Sequence, residues 1–493
     1  MPKAVAILLG DQLFPTPALD ALGNMPIIMA EDRELCTRHR FHQHKLVFFL
    51  AAMRHRAEQL RKIGWSISYH HLDEGSDLRT HCLAQLRKHS ARELVRFEAA
   101  DPFIDEWFEA IADEAGCTQR FLPNPMFLTS LKDFNDWADD HRLHMADFYR
   151  WQRQRLGVLL SADGGPLHGK WSFDSDNRER LDKCVTIPEP PSTRRDTITD
   201  AVIELVAREF PDHPGDAHSF NWPVTRRAWL AQLRHFIDVR LATFGTYQDA
   251  FTTRSDVVFH SALSPALNCG LILPDECLEA VLEAHDNGGI EYNNIEGFVR
   301  QLIGWREFVR GVHARHGSEQ ASANHYQATN ELGESWWTGT TGLTPLDAAI
   351  QKTLRLGWSH HIERLMAIGA VMCMAGIRPQ AAHDWFMALF IDSADWVMGP
   401  NVYGMALRSD GGLMTTKPYI CGANYLKKMG AELNADDRDI MDGLYWGFVQ
   451  QHRDELARNP RLANATRTLE RMDPKRLKHI TSCARVWIER NCA

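Results

Sequence analysis

Several common signals are missing from this chain. Among its 493 residues there is no run of eighteen or more apolar side chains, so no membrane-spanning helix is signalled. Ten cysteines are present, yet no two form a C-x-x-C pair and their spacing is irregular, which signals neither a zinc motif nor a disulfide framework. Most of them read as reduced core thiols. An excess of positive charge is missing as well. Lys and Arg number 55 against 64 Asp and Glu, and the formal charge of −9 argues against indiscriminate binding to nucleic acid, which is held mainly by phosphate neutralisation. Local basic faces remain at Arg150, Arg153 and Arg155 beside Trp151, and at Arg226 and Arg227 before Trp229; each reads either as a nucleic-acid footprint or as a solvated helix face. The N-terminus reaches Asp11 without a basic n-region or cleavage site, so the expected location is cytoplasmic.

Apolar residues make up 44 % of the chain, enough for a large core divided over two or three domains. The segments Ala4–Leu9, Ile27–Met29, Ile67–His70 and Leu94–Phe97 read as buried strands separated by helical patterns such as Lys45–Ile63, which predicts a parallel α/β domain over residues 1–130. Over 131–225 periodicity is low, and Gly164-Gly-Pro166, Pro188-Glu-Pro-Pro191 and Pro211–Gly215 mark a long interdomain linker. From 226 to 493 apolar residues recur at three and four, as at Phe298, Leu302, Trp305, Phe308 and Val309, which predicts an all-helical domain. The expected fold is therefore a Rossmann-like parallel α/β domain, a long linker and a C-terminal helical domain.

Two segments about thirty residues apart carry the chemistry: Gly357-Trp-Ser-His-His-Ile-Glu-Arg-Leu-Met366, and Asp395-Trp-Val-Met-Gly-Pro-Asn-Val-Tyr-Gly-Met405 with its continuation to Tyr419. Together with Leu8-Leu-Gly-Asp-Gln-Leu13, the block from Gly169 to Arg178, His260-Ser-Ala-Leu-Ser-Pro-Ala-Leu-Asn268 and Arg300-Gln-Leu-Ile-Gly-Trp-Arg-Glu-Phe308, they resemble the photolyase/cryptochrome family. Within it they look like the prokaryotic branch known for an iron–sulfur cluster and (6-4) photolyase activity. The resemblance implies an antenna domain over 1–130 and a FAD-binding catalytic domain over 226–493.

It also implies a set of site residues. Ser261, Leu263 and Ser264 match the turn facing the FAD pyrophosphate, and Tyr247, His260 and Arg306 match positions that reach the cofactor. Read alone, Ser-x-Leu-Ser-Pro is an N-cap followed by proline. Either Asp392 or Asp395 matches the carboxylate beside the isoalloxazine, Met398 stands where relatives carry an acid, and Asn401 matches the redox-tuning amide near N5. Gln301 and Trp305 match the wall of the lesion cavity, although a tryptophan at helical spacing is ordinarily core. His360 and His361 match the proton-donating pair, with His361 the acid; imidazole suits that task because its ordinary pKa is near 6.5. Tyr419 borders the cavity or anchors a loop. Trp337 and Trp385 match the electron relay, in which Phe386 replaces an oxidisable tyrosine.

Two departures stand out. At the four cluster positions, or next to them, are Pro345, Leu433, Asp436 and Asp439, so no iron–sulfur cluster and no other metal is expected; packing of the C-terminal helices, including Leu433 and Trp446, would replace it. The lumazine antenna of the branch is left open, because Gly10-Asp-Gln12 persists while Ala30 to His42 departs from the gripping pattern; another chromophore or none fits equally. The expected activity is light-driven repair of UV-damaged DNA by a monomer without membrane contact. The (6-4) pyrimidine–pyrimidone lesion is favoured on account of the histidine pair. The alternatives are a cyclobutane dimer photolyase, a cryptochrome-like photoreceptor, against which stands the lack of a long tail after the helix at Lys475–Arg490, and a flavin-free DNA binder.

Overall fold

Five parallel strands form one sheet in the order β3-β2-β1-β4-β5, where β1 is Ala4–Ile7, β2 Ile27–Ala30, β3 Ile67–His70, β4 Glu93–Phe97 and β5 Thr118–Leu122. These come from a computed structural model that describes residues 3–72, 75 and 77–493. Side chains alternate across the central strand: Val5 and Ile7 pack into one core with Cys82, Leu86, Phe108 and Ile111, whereas Ala6 and Leu8 face the larger core that continues into the helical region. Helices cover both faces, so β1 and β2 carry near-continuous apolar runs. The short 3-10 helix Thr16–Leu22 lies in the first crossover, and the helices Gln43–Lys62, Leu78–Lys88 and Pro102–Ala115 in the next three. The last starts with proline in its first turn and stops at Gly116, whose φ of 64° lies in the left-handed region that glycine adopts without a Cβ clash.

The segment read as a linker contains the helices Leu131–Asp140, Met145–Leu156 and Thr197–Glu209. Thr197–Glu209 packs along Gln43–Lys62. Beyond it the chain is helical from Arg226–Val239 to Pro474–Asn491. The buried carboxylate of Glu307 anchors the α/β side to the helical side by accepting the backbone N–H groups of Leu128 (3.1 Å) and Thr129 (2.9 Å), and Arg310 donates to the Thr129 carbonyl (2.9 Å). All ten cysteines are free, and six of them are buried. Among the described residues no helix is long and apolar enough to cross a membrane.

Three helices of this region carry a π-helical turn: Arg300–Trp305, Glu363–Gly369 and Pro400–Ala406. Such turns concentrate at functional sites. Here all three border the same cavity.

Candidate functional site

The cavity, open to solvent at its mouth, offers about 1380 Å³ of space including that mouth and is walled by the 260–264 turn and by all three π-helical turns. Its lining is mainly apolar, with Phe244, Phe298, Leu302, Trp358 and Met405 among the contributors. A large apolar cavity with a few convergent polar groups is the usual form of a cofactor site. Several polar atoms in its wall are buried and make no hydrogen bond: His260 Nε2, both ring nitrogens of His360 (Nε2 lies 3.4 Å from a Glu363 oxygen), Ser359 Oγ and Arg306 Nε. Unsatisfied buried groups are rare in a finished core, so these fit a bound polar molecule. Ala262 lies in the same turn with φ 54°, a left-handed conformation uncommon outside glycine that concentrates at binding sites.

Asp392 organises one side of the cavity. It accepts two parallel bonds from Arg364, at 2.9 and 3.0 Å, and a third from the Ser264 hydroxyl at 2.5 Å. Its own carbonyl accepts from Asn268 Nδ2 at 2.8 Å. Arg364 is held further by the Ser359 carbonyl (2.8 Å) and lies over the Phe390 ring (4.1 Å). Arg306 enters from the helix Arg306–Ser322, bonds Asn268 Oδ1 and the Leu267 carbonyl (3.0 Å), and stacks over Trp396. Asn401 donates to the Val397 carbonyl (2.8 Å), and both residues line the cavity.

His360 is buried and stacks on His260 with ring centroids 4.6 Å apart. Its backbone N–H donates to Glu363, whose other oxygen pairs with Lys352. Burial is the leading cause that lowers the pKa of all three histidines here: His260 to about 3, His360 well below its ordinary value, and His361 to about 4. His361 lies deep in the cleft, yet its side chain is exposed to the open space inside it. After burial, Arg364 lowers it and Asp174 opposes. This balance favours the neutral imidazole at His361 in the free protein.

A second cavity, about 1900 Å³, adjoins the first and shares Gln301, Trp305, His361, Leu365 and Met405 with it. Its wall carries Arg150, Arg178, Arg300, Lys417 and Arg461 against Asp174 and Asp249. A local basic surface thus exists on an acidic chain, as phosphate binding requires. Tyr419 and Tyr425 also line it.

Most of the residues expected from sequence come together. Gln301, Trp305, His260, Ser261, Leu263, Ser264, Arg306, His360, His361, Asp392 and Asn401 all border the first cavity, and Tyr419 borders the second. Of the residues expected to bind the cofactor, two do not reach the first cavity. Asp395 pairs with Arg38 (2.6 Å) outside the cavity wall, and Tyr247 stacks on Phe259 (5.3 Å) in a satellite core with Leu181 and Val185. Of the two acids left open, Asp392 is the one in the wall. Among the basic clusters, Arg150 lines the second cavity, while Arg153 is buried and bonds the carbonyls of Val158, Leu159 and Trp171, and Arg226 pairs with Glu276. Both are structural.

Trp385 is fully buried; its ring lies 5.2 Å from Phe386, which itself lines the first cavity. Its indole N–H donates to the Trp336 carbonyl at 3.1 Å, one residue before the half-buried Trp337. Trp336 packs on Trp487 at 6.0 Å, a neighbour that no local pattern announced. Sequence reading also missed Arg364 as the partner of Asp392, and Lys417 and Arg461 as cavity bases. Arg364 stood inside the quoted histidine motif, but its role depends on a residue 28 positions away.

At the cluster positions, Pro345 is buried in the first turn of the helix Thr344–Leu356, and Pro345 and Leu433 offer no ligating atom. A hydrogen-bonded clasp stands there instead. Asp437 accepts from the backbone of Thr344 (2.9 Å) and of Asn434 (2.9 Å), tying the two helix starts together. These residues do not fit an iron–sulfur cluster, which needs thiolate ligands.

Comparison with known proteins agrees with this geometry. Residues 6–222 match the family model described as deoxyribodipyrimidine photo-lyase-related protein, and residues 298–424 match the FAD binding domain of DNA photolyase. A (6-4) photolyase of Agrobacterium fabrum is 33 % identical over 487 residues, which covers 95 % of this chain and 96 % of that protein. The deoxyribodipyrimidine photo-lyase of Escherichia coli is 24 % identical over 223 residues, 44 % of this chain and 45 % of that one. Among solved structures, a bacterial class III photolyase from Agrobacterium tumefaciens superposes with a TM-score of 0.55 at 17 % identity, covering 91 % of this chain and 98 % of its own. A Synechocystis cryptochrome gives 0.57 at 14 % identity, covering 98 % and 94 %. The fold is that of these proteins, and the chain belongs to the photolyase/cryptochrome family. FAD is the cofactor that the matched domain supports.

Proposed function

We propose that this chain is a light-driven DNA repair enzyme acting on (6-4) pyrimidine–pyrimidone photoproducts. One observation carries the reading: the apolar cavity lined by the residues expected to hold a flavin shares a wall with a cavity rich in basic side chains, and an exposed His361 stands in that wall. FAD, when bound, supplies an electron under blue light. The residues that would hold it are Ser261, Ser264, Arg306, the Asp392–Arg364 pair and Asn401. Arg150, Arg178, Lys417 and Arg461 take the phosphates of a duplex from which the damaged dinucleotide is flipped, and Gln301, Trp305 and Tyr419 surround the extruded bases. His361 moves the proton that returns a hydroxyl from one base to the other. DNA phosphates and Asp174 raise its pKa and oppose Arg364, bringing it into the range where imidazole donates.

The 33 % identity to a (6-4) photolyase along nearly the whole chain supports the choice of lesion. The cluster is not part of this proposal, and analysis of the purified protein should find no iron; about four irons per chain would overturn that part. The antenna stays open in this proposal; in the segment from Ala30 to His42, which departs from the gripping pattern, Glu31 and Asp32 serve the fold. Glu31 accepts from Arg54, Tyr69 and the Leu72 backbone, and Asp32 from the backbones of Leu35 and Leu78.

The test is blue-light repair of a duplex carrying one (6-4) lesion or one cyclobutane dimer, with reduced protein and a dark control. Light-dependent loss of the (6-4) lesion is expected. Repair of the dimer alone would overturn the lesion assignment, and photoreduction without repair of either would move the chain to the photoreceptors.

A further inference from the structure

We propose that Asp439, His479 and Cys483 form a binding site for a divalent transition-metal cation of the Zn²⁺ type, joining the last two long helices of the chain. Asp439 lies on the helix Ala435–Gln451; His479 and Cys483 lie one turn apart on the facing helix Pro474–Asn491. Residues at that spacing share a face, which makes His479 and Cys483 a natural pair of ligands. The two helices are held unusually close by Gly443, one turn beyond Asp439. A Cβ there would stand 2.0 Å from the Ile480 carbonyl and 2.9 Å from Ala484 Cβ, so the backbones touch and the facing side chains have a fixed frame.

In that frame the ligand atoms of the three residues lie within 4.8 Å of one another. Asp439 Oδ2 is 2.8 Å from His479 Nε2, and His479 Nε2 is 3.9 Å from Cys483 Sγ. Tetrahedral zinc, bound at ~2.0–2.3 Å, spaces its ligands by roughly 3.3–3.8 Å, so small side-chain rotations bring the trio into register. The other Asp439 oxygen already accepts from Arg476 at 2.6 Å, the kind of outer partner that orients a ligating carboxylate. His479 is 59 % exposed at its side chain, which leaves the fourth position to water. A thiolate, an imidazole and a carboxylate favour Zn²⁺ and its neighbours over Mg²⁺ or Ca²⁺, which take oxygen ligands. Binding would take the proton from the Cys483 thiol and tie the two helices together through their side chains. None of the three residues lines either cavity of the repair site.

The test uses the full-length protein stripped with a chelator and titrated with Zn²⁺ by calorimetry. One saturable site per chain is expected, weakened at least ~10-fold in Cys483→Ser and in His479→Ala. Zn²⁺ should also protect Cys483, but not the exposed Cys184, from alkylation as read by peptide mass spectrometry. Absence of a saturable site, an unchanged affinity in Cys483→Ser, or no protection of Cys483 would overturn the proposal.

Discussion

Replacing Asp392 with asparagine tests the centre of the cofactor cavity. The carboxylate receives three side-chain donors, two from Arg364 and one from Ser264. Asparagine keeps the shape but offers one acceptor oxygen, and its NH₂ meets a donor on the other side. Hydrogen bonds to charged groups are worth ~1.5–3 kcal/mol each, and breaking a buried ion pair costs ~3–5 kcal/mol. Arg364 retains 18 % exposure, which keeps part of its hydration, and it stays tethered to the Ser359 carbonyl and Phe390, so the lower end applies: about 3 kcal/mol. If that loss is expressed as disorder of the cavity wall, the FAD dissociation constant rises by roughly 100-fold at ~1.4 kcal/mol per decade. Asp395→Asn is the control, since Asp395 pairs with Arg38 outside the wall, and it should bind FAD within roughly threefold of wild type. Titration of flavin-free protein by FAD fluorescence reads both. Near-normal binding by Asp392→Asn, or a larger loss in Asp395→Asn, would refute the reasoning.

Four further outcomes are expected. His361→Ala should lose at least ~100-fold in (6-4) repair while keeping its flavin; repair at the wild-type rate would remove His361 as the proton donor. Trp385→Phe should slow photoreduction of the oxidised flavin yet leave repair by chemically reduced protein unchanged, a split that a merely structural role would not give. Acid should destabilise the fold through His42 and His260. Both are held neutral by burial with pKa near 3, against 6.5 in the unfolded chain, so their contribution is complete above about pH 6.5 and is lost as pH falls towards 3, which circular dichroism across that window will follow. Gly443→Ala should cost about 1–3 kcal/mol through overpacking, read as faster hydrogen exchange in Ala435–Gln451 and Pro474–Asn491.

Much of the architecture was legible because burial on both faces writes itself as apolar runs. The segment Ile67–His70 is β3 as read, and Lys45–Ile63 appears as Gln43–Lys62. The edge strand β5, Thr118–Leu122, escaped because its half-exposed sequence TQRFL has no such run. The apolar face drawn through Phe298, Leu302, Trp305, Phe308 and Val309 was located correctly, but a regular helical period conceals the π-helical turn that it crosses. At the site, the motifs supplied residue identities and the structure supplied pairings. Nothing local distinguishes Asp392 from Asp395, three positions apart; the difference lies in their distant partners, Arg364 for the one and Arg38 for the other. The trio Asp439, His479 and Cys483 was invisible for the same reason, since a gap of forty residues between Asp439 and His479 hides what helix packing joins.

Gln301, Trp305, His361, Leu365 and Met405 each face both cavities, and this constrains how the protein can diversify. A change at any of them alters the cofactor's surroundings and the substrate's together, so a gain on one side is tied to a disturbance on the other. The far wall of the second cavity, formed by Lys417, Tyr419, Tyr425 and Arg461, carries no such double duty. Selection for a different lesion has its freest route there, and descendants with altered preference should differ first at those four positions while the shared wall stays fixed.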